Sequence, residues 1–200
     1  MSSSLPGQRV EALAASDEEL IAAFQQGNVA AFTLLVGRYK DRLMNFVFRY
    51  LGDYDDADDV VQETFVRVYR NKALYRPVAK FSTWIYTIAT NLAKTQLRRR
   101  RNRGWLSLSW RKEETSGPDV EIADTRYPAD GVAESSLQET LIQKALDAIP
   151  QKYREIVVLC DVQELSYDEI SAITGLNIGT VKSRLNRGRT HLQKLLKTSL

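Results

Sequence analysis

Apolar residues return every three to four positions along nearly the whole chain, which is the period of an amphipathic α-helix. Phe32, Leu35, Tyr39, Leu43, Phe46, Val47 and Tyr50 mark one face of a helix over residues 29–50, and Gly52-Asp53 stops it. Ahead of it, Ser16-Asp17-Glu18-Glu19 has the capping-box pattern of a short helix that ends near Gly27. A third helix is predicted from about Asp55 to Asn71. Pro77 interrupts the pattern. A fourth helix runs from about Ser82 to Arg101, with Phe81, Ile85, Ile88 and Leu92 along one side. Residues 102–133 lose the period and scatter Gly104, Gly117, Pro118, Pro128 and Gly131 among serines and acids, as a linker does. Beyond them the pattern predicts helices at about 134–148, 151–162, 166–173 and 179–197. No segment alternates as a strand would. The expected fold is all-α: two small helical domains, 16–101 and 134–197, joined by a flexible linker over 102–133.

Composition narrows the class. The 200 residues carry 28 Lys+Arg and 25 Asp+Glu, with one His and one Cys. Cys160 alone cannot form an internal disulfide, which points to a reducing, cytoplasmic setting. So few N and S ligands argue against an all-protein zinc site, and no cofactor or metal is expected. No run reaches the roughly 18 apolar residues of a membrane span, and the polar start, Met1 to Gln8, does not read as a signal peptide.

The charge is unevenly spread. Lys94, Arg98, Arg99, Arg100, Arg101, Arg103, Arg111 and Lys112 fall in an acid-free block, as do Lys182, Arg184, Arg187, Arg189, Lys194 and Lys197. Asp53, Asp55, Asp56, Asp58, Asp59 and Glu63 form a base-free one, and 113–139 is also acidic. Two separate basic blocks, each closing a helical pattern, suggest two anchors on one polyanion.

Near the C-terminus, Ser166-Tyr167-Asp168-Glu169 is a second capping box. A short helix follows, then a turn at Gly175-Leu176-Asn177-Ile178, then a longer helix. On a helical wheel Val181, Leu185, Gly188, Leu192 and Leu195 share one side of that helix. Lys182, Ser183, Asn186, Arg187 and Thr190 share the other. These are phosphate- and base-binding side chains with no acid among them, as in the second helix of a helix-turn-helix. In the acidic block Ala57, Val61, Thr64 and Val68 turn inward, while Asp59, Gln62, Glu63 and Arg70 turn out around Val66. An apolar residue centred in a polar face is the pattern of a small protein contact. Asp55-Asp56-x-x-Asp59 also has the spacing with which helical prenyl-transfer enzymes hold magnesium and a diphosphate. That chemistry needs a facing second carboxylate cluster, and none is evident.

Tyr167 to Gly175 (YDEISAITG), with Gly179 to Leu185 (GTVKSRL) and Arg187-Gly188-Arg189, closely resembles region 4 of the extracytoplasmic-function (ECF) sigma factors of bacterial RNA polymerase. Asp55 to Tyr69 (DDADDVVQETFVRVY) resembles the segment of sigma region 2 that docks on the polymerase clamp. Phe81 to Lys94 (FSTWIYTIATNLAK) resembles the helix that reads and melts the −10 element. The likeness covers about 16–101 and 134–197. It implies a dissociable promoter-specificity subunit that is not an enzyme, whose partners are the clamp and flap of core polymerase, promoter DNA and an anti-sigma factor.

By the same resemblance, Asp59, Gln62, Glu63 and Val66 contact polymerase. Trp84, Tyr86, Thr87, Thr90, Asn91, Lys94 and Arg98 meet −10 DNA. The wheel turns Thr83, Tyr86, Thr87, Thr90, Lys94, Arg98 and Arg101 outward, whereas Trp84 borders the apolar side and also suits a core role. Tyr167, Thr180, Lys182, Ser183, Arg184, Asn186, Arg187 and Arg189 are the expected −35 contacts, Arg189 gripping phosphate. Leu74 to Lys80 would pocket one flipped base, and the acidic linker would thread a basic channel of the polymerase. Cys160 reads as a buried helix residue and His191 as a surface residue far along the recognition helix. A helix-turn-helix regulator that is not a polymerase subunit would account for 134–197 but leaves 55–101 unexplained.

Overall fold

A computed structural model describes the backbone of residues 14–111 and 133–199, and the side chains of 14–102 and 138–197. Among the described residues the regular structure is helical throughout: α1 (Asp17–Gln25), α2 (Val29–Leu51), α3 (Tyr54–Arg70), a 3-10 turn (Lys72–Leu74), α4 (Phe81–Arg111), α5 (Ala133–Ala148), α6 (Gln151–Val157), α7 (Tyr167–Thr174) and α8 (Ile178–Ser199). The helix ends follow local chemistry. The Ser16 hydroxyl accepts from the Glu19 amide, and the Glu19 carboxylate accepts from the Ser16 amide at 2.7 Å. Asn28 and Asp53 cap α2 and α3, and Gly52 closes α2 at φ 73°, a left-handed conformation that costs glycine little.

Two boundaries differ from the sequence pattern. Helix α4 begins at Phe81, whose amide donates to the Glu18 carboxylate at 3.0 Å, so α1 supplies the cap that its own sequence lacks. It also continues past Arg101 to Arg111, because the arginine-rich stretch is helix-favouring and Gly104 alone does not stop it. The expected 151–162 helix widens into a π-turn over Val158–Val162, and Glu164 then takes φ 56° to turn the chain toward α7. The acidic part of the expected linker, 112–132, lies outside the described residues.

In the N-terminal half, α1–α4 enclose Ile21, Phe24, Leu35, Leu43, Phe46, Ala57, Val61, Phe81 and Ile85. In the C-terminal half Val181 and Leu185 of α8 are buried, and α8 packs on α6 through Gly188. The two halves also pack against each other: the buried apolar residues form one continuous cluster from Leu20 to Leu185. The C-terminal half lies over the polar side of α4 and along α2. A β-carbon added at Gly188 would stand 2.5 Å from the Val157 methyl Cγ2, closer than such atoms approach. Replacing a mid-helix glycine by alanine ordinarily stabilises by about 0.5–1 kcal/mol. Here overpacking reverses the sign, and Gly188→Ala is expected to destabilise by about 1–3 kcal/mol in urea unfolding followed by circular dichroism. A neutral or stabilising effect would contradict this packing of α6 on α8.

Candidate functional site

Three surfaces hold the residues singled out from the sequence. The first is the outer side of α3. Ala57, Val61, Thr64 and Val68 are buried, as the wheel requires. Asp59 and Gln62 are exposed, Glu63 is half-buried, and Val66 is 39% exposed among them. Neighbours on the helix hold these polar groups: Gln62 Nε2 donates to Asp58 Oδ2 at 2.6 Å, and Arg67 pairs with Glu63 at 2.8 Å. The sequence reading missed Tyr69, one turn beyond Val66 and 47% exposed, its ring held by Phe24 and Phe32 with centroids 5.2 and 5.3 Å away. The i, i+3 spacing from Val66 carried that signal. Together Val66 and Tyr69 make an apolar spot rimmed by charge.

The acidic run next to this surface has a structural use. Asp53 caps α3 by accepting from the Asp56 amide at 2.9 Å, and Arg100 of α4 reaches both Asp53 and Asp56 at 2.6 Å. Gln96 adds a bond to Asp56. These two carboxylates are thus committed to holding α3 on α4. No group of three or more His, Cys, Asp or Glu among the described residues could hold a metal ion.

The second surface is α4, and here the wheel misjudges exposure. Tyr86 and Thr90 are fully buried and Thr83 is nearly so, although all three were expected to face outward. Tyr86 is packed from two sides: its ring meets Phe46 of α2 edge-on with centroids 5.5 Å apart, and its hydroxyl meets the C-terminal half. The Tyr86 hydroxyl donates to Gln163 Oε1 at 2.6 Å, and burial pushes its pKa up to about 12, so it remains a neutral donor. The Thr90 hydroxyl is buried without a hydrogen-bond partner. Lys94 pairs with the buried Glu155 at 2.8 Å, and Lys80, just before α4, pairs with Glu169 of α7 at 2.9 Å. That pairing, with the Ser166 cap, holds the Glu169 carboxyl below its usual range. Trp84, for which both a DNA contact and a core role were expected, is half-buried against Tyr75 and Phe81. Thr87 is half-buried, Asn91, Arg98 and Arg101 are exposed, and in the loop before α4 Leu74 and Val78 stand 70% and 91% exposed. Between the halves lies a groove of about 650 Å³ with Lys94, Arg98 and Arg101 on one wall and Lys152 and Arg184 on the other.

The third surface is α8 and the turn before it. The second capping box forms, with the Ser166 amide donating to Glu169 Oε2 at 3.0 Å. Gly175 closes α7 at φ 71°, and Ser171 fixes the turn by donating to the Leu176 carbonyl at 2.6 Å. Asn177 caps α8 by accepting from the Thr180 amide at 2.8 Å. With Val181, Leu185 and Gly188 locked inward, Lys182, Ser183, Asn186 and Arg187 stand exposed. Arg184 is half-buried at the groove, Thr180 is half-buried, and Tyr167 lies under the Lys182 ammonium at 5.7 Å. Arg189 is not free: it makes a two-pronged pair with Asp161 at 3.0 and 2.5 Å, which keeps its guanidinium protonated well above the ordinary range. His191 is exposed and stacks on Tyr153, centroids 5.7 Å apart. Cys160 is half-buried, and burial pushes its thiol pKa up, away from the thiolate a redox sensor needs.

Comparison with known proteins agrees with this layout. Residues 35–103 match the model of sigma-70 region 2, and residues 139–192 match that of sigma-70 region 4. The chain is 38% identical over 179 residues to the ECF RNA polymerase sigma factor SigW of Bacillus subtilis, covering 88% of this chain and 95% of that protein. It is 33% identical to the ECF RNA polymerase sigma-E factor of Escherichia coli, covering 87% and 91%. The sigma factor RpoE from Bartonella quintana, solved with the anti-sigma factor NepR, is 26% identical with a TM-score of 0.65, over 83% of this chain and 96% of that one. CnrH, solved with the cytosolic domain of CnrY, has the same fold, with a TM-score of 0.71 at 24% identity over 93% of this chain and all of that one.

The chain belongs to the ECF branch of the sigma-70 family, and its function is promoter-specific transcription initiation. The match to region 2 accounts for the segment that a helix-turn-helix regulator left unexplained. None of the described helices is long and apolar enough to cross a membrane.

The Arg189–Asp161 pair generates a prediction. Asp161→Ala releases the guanidinium beside the exposed, acid-free side of α8. The salt dependence of duplex binding is expected to steepen by about one phosphate contact in a salt titration. An unchanged slope would show that Arg189 does not reach DNA even when free.

Proposed function

We propose a division of labour among the three surfaces. Asp59, Gln62, Glu63 and Val66 dock on core polymerase, with Tyr69 extending the apolar spot. Trp84, Tyr86, Thr87, Thr90, Asn91, Lys94 and Arg98 engage the −10 element. Lys182, Ser183, Arg184, Asn186 and Arg187, with Tyr167 and Thr180 at the edge and Arg189 on the backbone, engage the −35 duplex. The observation that carries the reading is the exposed, acid-free side of α8, held by a capped turn while its opposite side is locked into the C-terminal half. Rigid presentation of such side chains is what major-groove reading needs. Melting instead needs aromatic and hydroxyl groups with cations behind them, and α4 carries those residue types. The chain works in the cytoplasm as a subunit that performs no catalysis of its own. An anti-sigma factor is its expected regulator, as NepR and CnrY are bound in the structures of RpoE and CnrH.

Two predictions follow from these assignments. Gln62→Lys or Glu63→Lys is expected to weaken binding to core polymerase while leaving the circular dichroism spectrum intact, since both side chains lie on the outer side of α3. Unaltered affinity in both variants removes the docking assignment. Asn186 suits adenine, whose N6 and N7 present a donor and an acceptor side by side. Asn186→Ala is expected to cost about 1–3 kcal/mol on the preferred site and to relax choice at one base pair in a binding selection. Identical base preferences in the variant and the wild type would show that Asn186 reads nothing.

A further inference from the structure

The loop that leads into α4 is held from outside itself. Residues 75–80 connect the 3-10 turn to α4, and none of them is a Ser, Thr, Asp or Asn that could cap the helix they enter. Helix α1 fixes the segment at both ends. At its far end Glu18 Oε1 accepts from the Phe81 amide at 3.0 Å, one of the donors that a helix start leaves unpaired. At its near end Gln25 Nε2 donates to the Lys72 carbonyl at 2.7 Å and to the Tyr75 carbonyl at 3.1 Å. Lys72 in turn donates to the Phe24 carbonyl at 2.8 Å, at the C-terminal end of α1, where the helix dipole favours a cation.

Between these fixings the loop is stapled to itself. The Tyr75 ring is buried against Phe81 and Trp84, and its hydroxyl donates to the Ala79 carbonyl at 2.9 Å. With Tyr75 turned inward, Leu74 and Val78 are left outside, 70% and 91% exposed on a backbone held at both ends. Two apolar side chains presented in this way suit a flat apolar partner, such as the face of an unstacked base.

We infer that Glu18 and Gln25 of α1 are positioning residues for −10 recognition: they frame the loop so that Leu74 and Val78 meet one unpaired base in a fixed geometry. The inference rests on the sigma-factor reading, in which residues 74–80 receive a flipped base. Helix α1 lies ahead of the stretch that matches region 2, and its two side chains act through the loop backbone rather than on DNA. The physical basis is preorganisation. A loop that samples several shapes presents the reading shape for only part of the time, and its affinity for the right base falls by that fraction. Wrong bases, which do not fit the fixed shape, lose less, so the cost falls on discrimination. Both side chains are exposed, and truncating either leaves the buried residues of α1, Leu20, Ile21 and Phe24, in place.

The test uses holoenzyme assembled from the full chain and core polymerase. Its ligands are duplex promoters mismatched across the −10 region, with each unpaired non-template base varied in turn. Leu74→Ala combined with Val78→Ala identifies the position that the loop reads: discrimination there should fall about fivefold or more while other positions keep theirs. Gln25→Ala and Glu18→Ala are expected to lower discrimination at that same position by about threefold or more, with core-polymerase affinity and −35 preference unchanged. Glu18→Gln keeps an acceptor oxygen for the Phe81 amide and should retain wild-type discrimination. If Glu18→Ala does not fold, Gln25→Ala at the other end carries the test. Unchanged discrimination in the α1 variants, beside an altered loop variant, overturns the positioning role and leaves the loop's reading in place. An equal fall at every position, or weaker binding to core polymerase, also overturns it, because α1 then serves the fold at large. If the loop variant alters no position, residues 74–80 read no base and the positioning role falls with that reading.

Discussion

One helix has to satisfy two partners. The apolar side of α4, with Phe81, Ile85, Ala89 and Ala93, closes the N-terminal core, and it meets the C-terminal half through the Tyr86 hydroxyl and Lys94. Loss of the first contact would leave α1–α3 without their fourth wall. The second contact mixes ions and hydroxyls with apolar groups, because the buried apolar cluster runs without a break from the N-terminal half into the C-terminal half.

Charge placement follows the same logic. Arg100, in the middle of a basic run, reaches two carboxylates, Asp53 and Asp56, and it ties α4 to the N-terminus of α3. Its neighbours Arg98 and Arg101 stay exposed toward the groove. The acidic run that resembles a metal motif is partly an N-cap and partly a counter-ion to that arginine. Such half-exposed pairs add modest stability individually, so their clearer role is orientation. They aim the long α4 helix relative to α3.

Much of this was legible in the sequence because it is written locally. Both capping boxes, the Gly175 turn and the two sides of α8 depend on residues a few positions apart, and the structure has them as the periodicity requires. The inward set of α3 was legible for the same reason. What the wheel could not see was the destination of a polar side. The wheel set Thr83, Tyr86 and Thr90 on a polar side, which is equally consistent with solvent and with a buried partner, and the Tyr86 ring packs on Phe46 of α2. The partner groups, Gln163 after a π-turn and Glu155 inside α6, lie far away in sequence, and no period connects them. The ion pair of Arg189 was not legible either: its place on the helix suggested phosphate, and its partner Asp161 lies on another element with no period to connect them. The start of α4 escaped too, because its cap, Glu18, belongs to another helix.

The most direct test of the account is run-off transcription with purified core polymerase and this chain as the sole added specificity factor. On duplex templates selected for binding by the reconstituted complex, the chain should direct transcripts of defined length that core polymerase alone does not make. Tyr86→Ala should reduce them more on duplex template than on one already mismatched across the −10 region, because premelted DNA has already met the cost of unpairing. Failure of the chain to direct initiation would contradict the functional account as a whole. Equal losses on the two templates would contradict the role given to α4.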